Sequence, residues 1–356
     1  MPRYVRAVLR EAEQRKALMD EPVQTVYIGG GTPSLLPASR MEELIRGIRG
    51  ILDLSDVKEF TVEANPGTVT PEWLDACALG GVNRISFGVQ AYQDELLRTL
   101  GRIHRFPDAV RSVESARRAG IDNISLDLMF GLPGQTRAQW TETLEAALSL
   151  KPTHISAYGL IPEEGTPIFE QLQKGLLTLP EPEEEREMYD DVIRILDRAG
   201  MKQYEISNFA MPGFESRHNI GYWDQVPYLG LGVAAASMYR PRRDGIFCIR
   251  ENNPESMEEY IRMTETGDGA ARTAETVAGK DARFETLMLA LRMNKGLSRR
   301  RFRELHGTDL EDCYGDTAER LRAQGLLMTD EEGWRLTRRG MDIQNSVLLE
   351  FMEEKD

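Results

Sequence analysis

From residue 25 onward, short runs rich in β-branched and aromatic residues alternate with longer amphipathic runs. TVYIGG (25–30), FTVEAN (60–65), RISFGVQ (84–90), NISLDLMFG (123–131), HISAYGLI (154–161) and QYEISNFA (203–210) are predicted to be parallel strands. The runs between them end on glycine, at CALG before Gly81, at Gly120 and at Gly200, where a helix C-cap favours that residue. Proline with acidic residues marks helix starts, at Pro71 and Glu72, at Pro107 and Asp108, and from Pro182 to Glu185. A strand–helix period of about 30–40 residues describes βα units, wound as an open sheet or as a barrel. Placement of the polar residues favours the barrel. Gly29 to Thr32, Glu63 and Asn65, Gln90, Asp127, and Tyr158 with Gly159 all fall at or just past the C-terminal ends of successive strands. In a βα barrel those ends share one face, where a single site forms.

The pattern changes after residue 240. PRRDG (241–245) and ENNPES (251–256) read as loops and TGDGAART (266–273) as a linker, so 1–240 is expected to be the α/β barrel domain, 241–280 a linker region and 281–356 a small C-terminal domain. Helical runs near 281–293, 298–306 and 309–324 precede GLLMTDEEGWRLT (325–337), a hairpin with its turn at Asp330 to Gly333. That order predicts a winged-helix-like module. Its basic run Ser298 to Arg303 could touch phosphates, but 281–356 holds 13 basic against 16 acidic residues, net −3. A solvated helix face is the better reading, and no nucleic-acid partner is expected.

Composition narrows the rest. Of 356 residues, 44 are Lys or Arg and 58 Asp or Glu, a net charge of −14 that excludes an overall polyanion binder. No apolar run approaches the ~20 residues that span a bilayer, and Met1 to Arg10 lacks the apolar stretch of a signal peptide. A cytoplasmic location is expected. The three cysteines, Cys77, Cys248 and Cys313, lie far apart; each is expected to be a small buried side chain, with Cys248 alone in a loop-like stretch.

Gly29-Gly30-Gly31-Thr32-Pro33 after a strand is the strongest local signal, because consecutive glycines let the backbone approach a polar ligand. It lacks the GxGxxG spacing of a dinucleotide site and the GK[ST] of a P-loop. Ligand contact and a tight turn both remain open. Glu63 and Asp127 each place a carboxylate in an otherwise apolar strand, where an unpaired charge is costly. A ligand hydroxyl or amine could partner Glu63. Arg102 could meet a ligand carboxylate, or pair internally with Asp127.

YIGGGTPSLL, VEANPGTVT, NRISFGVQAYQDELLRTLGRIH, ISLDLMFGLPGQT, SAYGLIPEEGTP, YEISNFA and RHNIGYW together resemble the radical S-adenosylmethionine group that contains oxygen-independent coproporphyrinogen III oxidase and the HemW-type heme chaperones. The resemblance runs from about Tyr4 to the end of the chain. His218-Asn219-x-x-Tyr222-Trp223 is similar to the HNxxYW signature of the chaperone branch and argues against the oxidase. The resemblance implies a partial (β/α)6 TIM-like barrel in which Gly29, Gly30, Gly31 and Thr32 hold the amino acid end of S-adenosylmethionine. Glu63 contacts the same ligand, Gln90, Arg102 and Asp127 line the cavity, and Tyr158 to Ile161 face the adenine. His218, otherwise a surface loop histidine, would bind heme. The implied function is transfer of heme to an acceptor protein, by peripheral contact where that acceptor is a membrane protein. The alternatives are the oxidase and, in another class, a winged-helix regulator that binds nucleic acid.

The departure from the pattern is large. The C-x3-C-x2-C loop that holds a [4Fe–4S] cluster in that group does not occur here, and the three cysteines cannot replace it by spacing. The first strand and its loop, which would precede the helix at Tyr4 to Lys16, are expected to be missing, through truncation or through real loss. The cluster is expected only in a full-length form, and radical chemistry is not expected from the chain as it stands. Without that strand, 25–30 becomes a sheet edge.

Overall fold

The structure, a computed structural model, describes residues 1–19, 21–241 and 245–352. The expected loop at 242–244 and the last four residues, 353–356, lie outside the described residues. The chain divides into two compact units, Pro22–Gln203 with Ser207–Ser216, and Met1–Glu21 with Tyr204–Ile206 and Arg217–Asp356. The division therefore does not fall near 240. Helix α1, Pro2–Arg15, groups with C-terminal residues because its one buried carboxylate, Glu11, finds its partners there.

In the first unit the elements run β1 (Thr25–Ile28), α2 (Ala38–Ile51), β2 (Glu59–Ala64), α3 (Pro71–Leu79), β3 (Arg84–Gln90), α4 (Asp94–Thr99), α5 (Phe106–Arg118), β4 (Asn123–Phe130), α6 (Arg137–Ser149), β5 (His154–Gly159), α7 (Pro167–Gln173), α8 (Pro182–Arg198), β6 (Lys202–Gln203) and β7 (Asn208–Ala210). Among the described residues the sheet order is β1-β2-β3-β4-β5-β7-β6, with β1 to β5 parallel and β1 at an edge. Across the parallel strands β1 to β5, strand order equals chain order without a reversal, which separates this sheet from a doubly wound one and marks it as part of a βα barrel. QYEISNFA is not one parallel strand. It splits into β6 and β7, which pair antiparallel with each other and, through β7, with β5.

Helix ends follow the expected chemistry. Pro71 opens α3 behind Thr70, whose hydroxyl accepts from the Trp73 amide at 3.2 Å. Gly81, Gly120 and Gly200 take φ of +90°, +86° and +86°, a left-handed conformation that L side chains rarely adopt.

The two faces of the sheet differ sharply. Phe60, Val62, Ile85, Phe87, Leu126 and Ile155 pack with Trp73, Trp140, Leu144 and Val192 of the helices into one core. Alternation puts Thr61, Glu63, Arg84, Ser86, Ser125, Asp127, His154 and Ser156 on the opposite face. Glu63 therefore lies on a face rich in hydroxyl and charged side chains, not on the apolar face of Val62.

The second unit contains α9 (Arg217–Trp223), β8 (Ala236–Tyr239), β9 (Cys248–Asn252), α10 (Met257–Thr266), β10 (Thr273–Val277), α11 (Gly279–Ala290), β11 (Leu297–Ser298), α12 (Arg299–His306), α13 (Leu310–Ala323), β12 (Leu327–Thr329), β13 (Gly333–Leu336), α14 (Arg338–Asp342) and α15 (Gln344–Met352). Residues 241–280 are thus more than a connection: β9 and β10 pair antiparallel and, with β8 before them, form a sheet ordered β10-β9-β8, with α10 between β9 and β10 in the chain. Cys248 is not in a loop but begins β9, buried. The helices and hairpin of the winged-helix-like module lie where expected, with β11 added to give the order β11-β13-β12. Its basic run is compensated internally, Arg299 by Glu311, Arg300 by Glu304 and Arg303 by Asp309. No helix among the described residues is long and apolar enough to cross a membrane.

Two interior networks hold this unit. Glu11 is fully buried and accepts from the Gly232 amide (2.9 Å), Asn253 Nδ2 (2.8 Å), Tyr260 Oη (2.7 Å) and Arg272 Nη2 (3.0 Å). His306 stacks on Phe247 with ring centres 5.0 Å apart, and its Nε2 lies 2.8 Å from Thr286 Oγ1. Burial first, then the Arg283 and Arg240 charges, push its imidazole down to about 4 from 6.5. Because the unfolded chain takes up this proton first, stability is complete above pH 6.5 and falls as pH drops toward about 4, by up to ~3 kcal/mol. Urea midpoints at pH 7 and pH 4.5 check this. The drop should shrink in His306→Phe, and an identical drop in the variant would refute the assignment.

Candidate functional site

The site is built at the C-terminal ends of β1, β2, β3 and β4. Tyr27, the third residue of β1, donates its hydroxyl to Glu63 Oε1 at 2.6 Å. The Gly30 amide donates to Glu63 Oε2 at 3.0 Å. Glu63 thus has protein partners on both oxygens, and the first is one that inspection of the chain overlooked. Burial, then the Glu63 charge, raise the Tyr27 phenol far above its usual range, so it stays a donor.

Gly29 is required by close approach. A Cβ there would sit 2.4 Å from the Tyr27 ring and 2.9 Å from the Glu63 carboxyl carbon. Gly30 and Gly31 have φ of +82° and +66°, and the three glycines are exposed. The loop therefore offers backbone groups to solvent next to a carboxylate, an arrangement suited to an ammonium and carboxylate pair.

A second set of bonds ties this loop to the one after β2. Asn65 Nδ2 donates to Thr32 Oγ1 at 3.3 Å, the Asn65 amide donates to Ser34 Oγ at 3.1 Å, and the Ser34 and Thr68 hydroxyls are 2.5 Å apart. Gln90 ends β3 at φ +68°, beyond a register shift from Gly88. A Cβ on Gly88 would lie 2.9 Å from Gln90 Nε2 and 3.4 Å from Asn65 Oδ1, so glycine makes room for two amides. A left-handed glutamine costs about 1–3 kcal/mol and persists where the surroundings hold it, commonly at a functional site.

Asp127 accepts from Ser86 Oγ at 3.0 and 3.1 Å. Burial raises its carboxyl, opposed by the Ser156 and Ser86 hydroxyls and by Arg84. Arg102 is not its partner. It follows α4, where it lines a shallow cleft with Asp94, Arg98 and His104, and no ion pair joins it to Asp127 among the described residues. The cation that faces Asp127 is Arg84. Ile161 lies past β5, 80% exposed, with Tyr158 41% exposed nearby in the chain. The structure thus brings Gly29 to Thr32, Glu63 and Gln90 together through Tyr27, Asn65 and Gly88, and places Asp127 on the same polar face; Arg102 and Ile161 have no bond to that network.

His218 belongs to the second unit and sits on α9 rather than in a loop. Helical spacing of four places Tyr222 beside it, its hydroxyl 3.1 Å from His218 Nε2 and the ring centres 4.8 Å apart. Tyr222 meets Tyr228 edge-on at 4.8 Å; Tyr222 is 43% exposed, while His218 is half-buried.

The cysteines do not fit an iron–sulfur cluster. Cys77 and Cys248 are buried, and burial pushes the Cys77 thiol up to about 12 and raises that of Cys248, away from the thiolate a cluster needs. No three His, Cys, Asp or Glu side chains gather as a metal-holding group among the described residues.

A model of the Radical SAM superfamily matches residues 2–147, and one of the HemN C-terminal domain matches residues 277–343. The chain is 38% identical over 353 residues to the heme chaperone HemW of Bacillus subtilis (strain 168), a match covering 99% of this chain and 91% of that one. With HemW of Escherichia coli (strain K12) it shares 33% over 353 residues, covering 99% and 90%. With the mitochondrial radical S-adenosyl methionine domain-containing protein 1 of Mus musculus it shares 35%, covering 93% and 76%. In fold it is similar to coproporphyrinogen III oxidase (HemN) from Escherichia coli, with a TM-score of 0.80 at 22% identity, over 98% of this chain and 82% of that one. On these matches the chain belongs to the HemW family of the Radical SAM superfamily.

Proposed function

We propose that the protein is a heme chaperone, binding heme as cargo through His218 and S-adenosylmethionine at the Gly29 to Thr32 loop, and passing heme to an acceptor protein in the cytoplasm. The observation that carries this reading is the near full-length likeness to HemW proteins, with a half-buried His218 set against the exposed Tyr222 on α9. The likeness to the oxidase HemN is one of fold alone.

Glu63 and the exposed glycine backbone suit the ammonium and carboxylate of the methionine end. Gln90 and Asn65 add amides at its edge, and Tyr158 and Ile161 offer apolar surface for a flat ring. S-adenosylmethionine supplies a carbon radical when a reduced cluster cleaves it, and the cysteines of this chain do not fit such a cluster. What its residues do is bind and orient. Tyr27, held as a phenol, fixes the Glu63 carboxylate toward the loop.

Heme titration followed by the Soret band tests the cargo site. Wild type should shift the band, and His218→Ala should bind at least about tenfold more weakly, as loss of an axial ligand requires. An unchanged band and affinity in the variant would remove His218 from the site.

A further inference from the structure

We propose that the polar face of the large sheet holds a small monovalent anion, of halide size, between Arg84 and Thr61. The two residues are opposed in register on β2 and β3, and their side chains share that face. Arg84 is 2% exposed and Thr61 0% exposed. Arg84 Nε and Thr61 Oγ1 are both buried without a hydrogen-bond partner, and the Arg84 side chain makes no ion pair among the described residues.

A buried guanidinium N–H left without an acceptor is costly, whatever charge stands nearby. Carboxylates on the same face are engaged elsewhere: Glu63 with Tyr27 and Gly30, Asp127 with Ser86, and Glu59 with Ser216 at 3.3 Å. A guanidinium has donors and no acceptor, and a hydroxyl facing it has a proton to give. Two orphan donors at facing register positions of one buried face suit a ligand that only accepts. A water would accept from both but would leave its own protons to place on a face where Arg84 and Thr61 offer donors. A small anion accepts from both and has no proton to place. Neither residue belongs to the loop proposed for S-adenosylmethionine, so the inference stands apart from that reading.

Melting curves at constant ionic strength, with sodium gluconate replaced stepwise by sodium bromide, test it. Wild type should gain melting temperature and saturate, as binding to the folded state alone requires. Arg84→Met should lose that response, and Thr61→Val should need about tenfold more bromide, the loss of one bond to an ion. Crystals of wild-type protein soaked in bromide should show an anomalous peak between Arg84 and Thr61, a readout that stands even if Arg84→Met does not fold. Equal melting in both salts, an undiminished response in Arg84→Met, or a map without that peak would each overturn the site.

Discussion

Replacing Glu11 by alanine is expected to destabilise the second unit by about 3–5 kcal/mol, the usual cost of breaking a buried charged network from one side. Four donors from four separate places in the chain converge on this carboxylate, and Arg15 adds a contact at 3.6 Å. Without it, the Arg272 charge and the Tyr260 hydroxyl face a cavity. The rest of α1 contributes an ordinary stripe of Val5, Ala7, Val8 and Ala12, too small to hold the helix by itself. Urea unfolding gives the global number, and amide exchange in α1 gives the local one, since the units need not open together. Glu11→Gln should recover part of the loss, because an amide oxygen still accepts. A change below about 1 kcal/mol in Glu11→Ala would mean that the network is decoration.

Gly29→Val carries the second large effect. The new Cβ would stand 2.4 Å from the Tyr27 ring and 2.9 Å from Glu63, distances that side chains do not tolerate, so the Tyr27 to Glu63 pair must separate. Overpacking of this kind costs about 1–3 kcal/mol. Binding of S-adenosylmethionine, measured by calorimetric titration, should weaken about a hundredfold, roughly two lost charge-assisted bonds. Gly30→Ala in the same loop, with nothing within 4 Å to strike and only the strain of φ +82°, should leave the Tyr27 to Glu63 pair in place and so separates the clash from strain in the loop. If Gly29→Val melts like wild type and binds the ligand within about twofold of it, the close approach is incidental.

Most of the first unit was legible because each βα turn carries its own punctuation. Proline at the helix start, glycine at positive φ after the helix and an apolar run of strand length agree around α3 and around α5, and the structure follows within a residue or two. QYEISNFA failed for a physical reason: alternation gives strand character but not direction, and direction depends on what precedes the strand. Residues 241–280 looked like a linker because β9 and β10 carry charge where an interior sheet would carry valine. Those charges are paired, Arg250 with Glu285 and Glu251 with Arg15, which no local pattern discloses. Tyr27 was missed because a tyrosine in a strand looks ordinary. Its role appears only when β1 lies beside β2 and brings its hydroxyl to Glu63. Arg84 was hidden in the same way, as one charge in an apolar run whose face is known only from the register.

The partners of Glu11 also set an order of events during synthesis. Helix α1 leaves the ribosome before the sheet, yet Gly232, Asn253, Tyr260 and Arg272 follow it by 221, 242, 249 and 261 positions. Until they are made, α1 has a carboxylate flanked by small apolar residues and nothing to receive them, while the βα units behind it can already close on their own neighbours. Contacts of such long sequence separation form late. The nascent chain therefore carries α1 unclaimed while the whole sheet behind it is made, and a helix that precedes the sheet is finished after it.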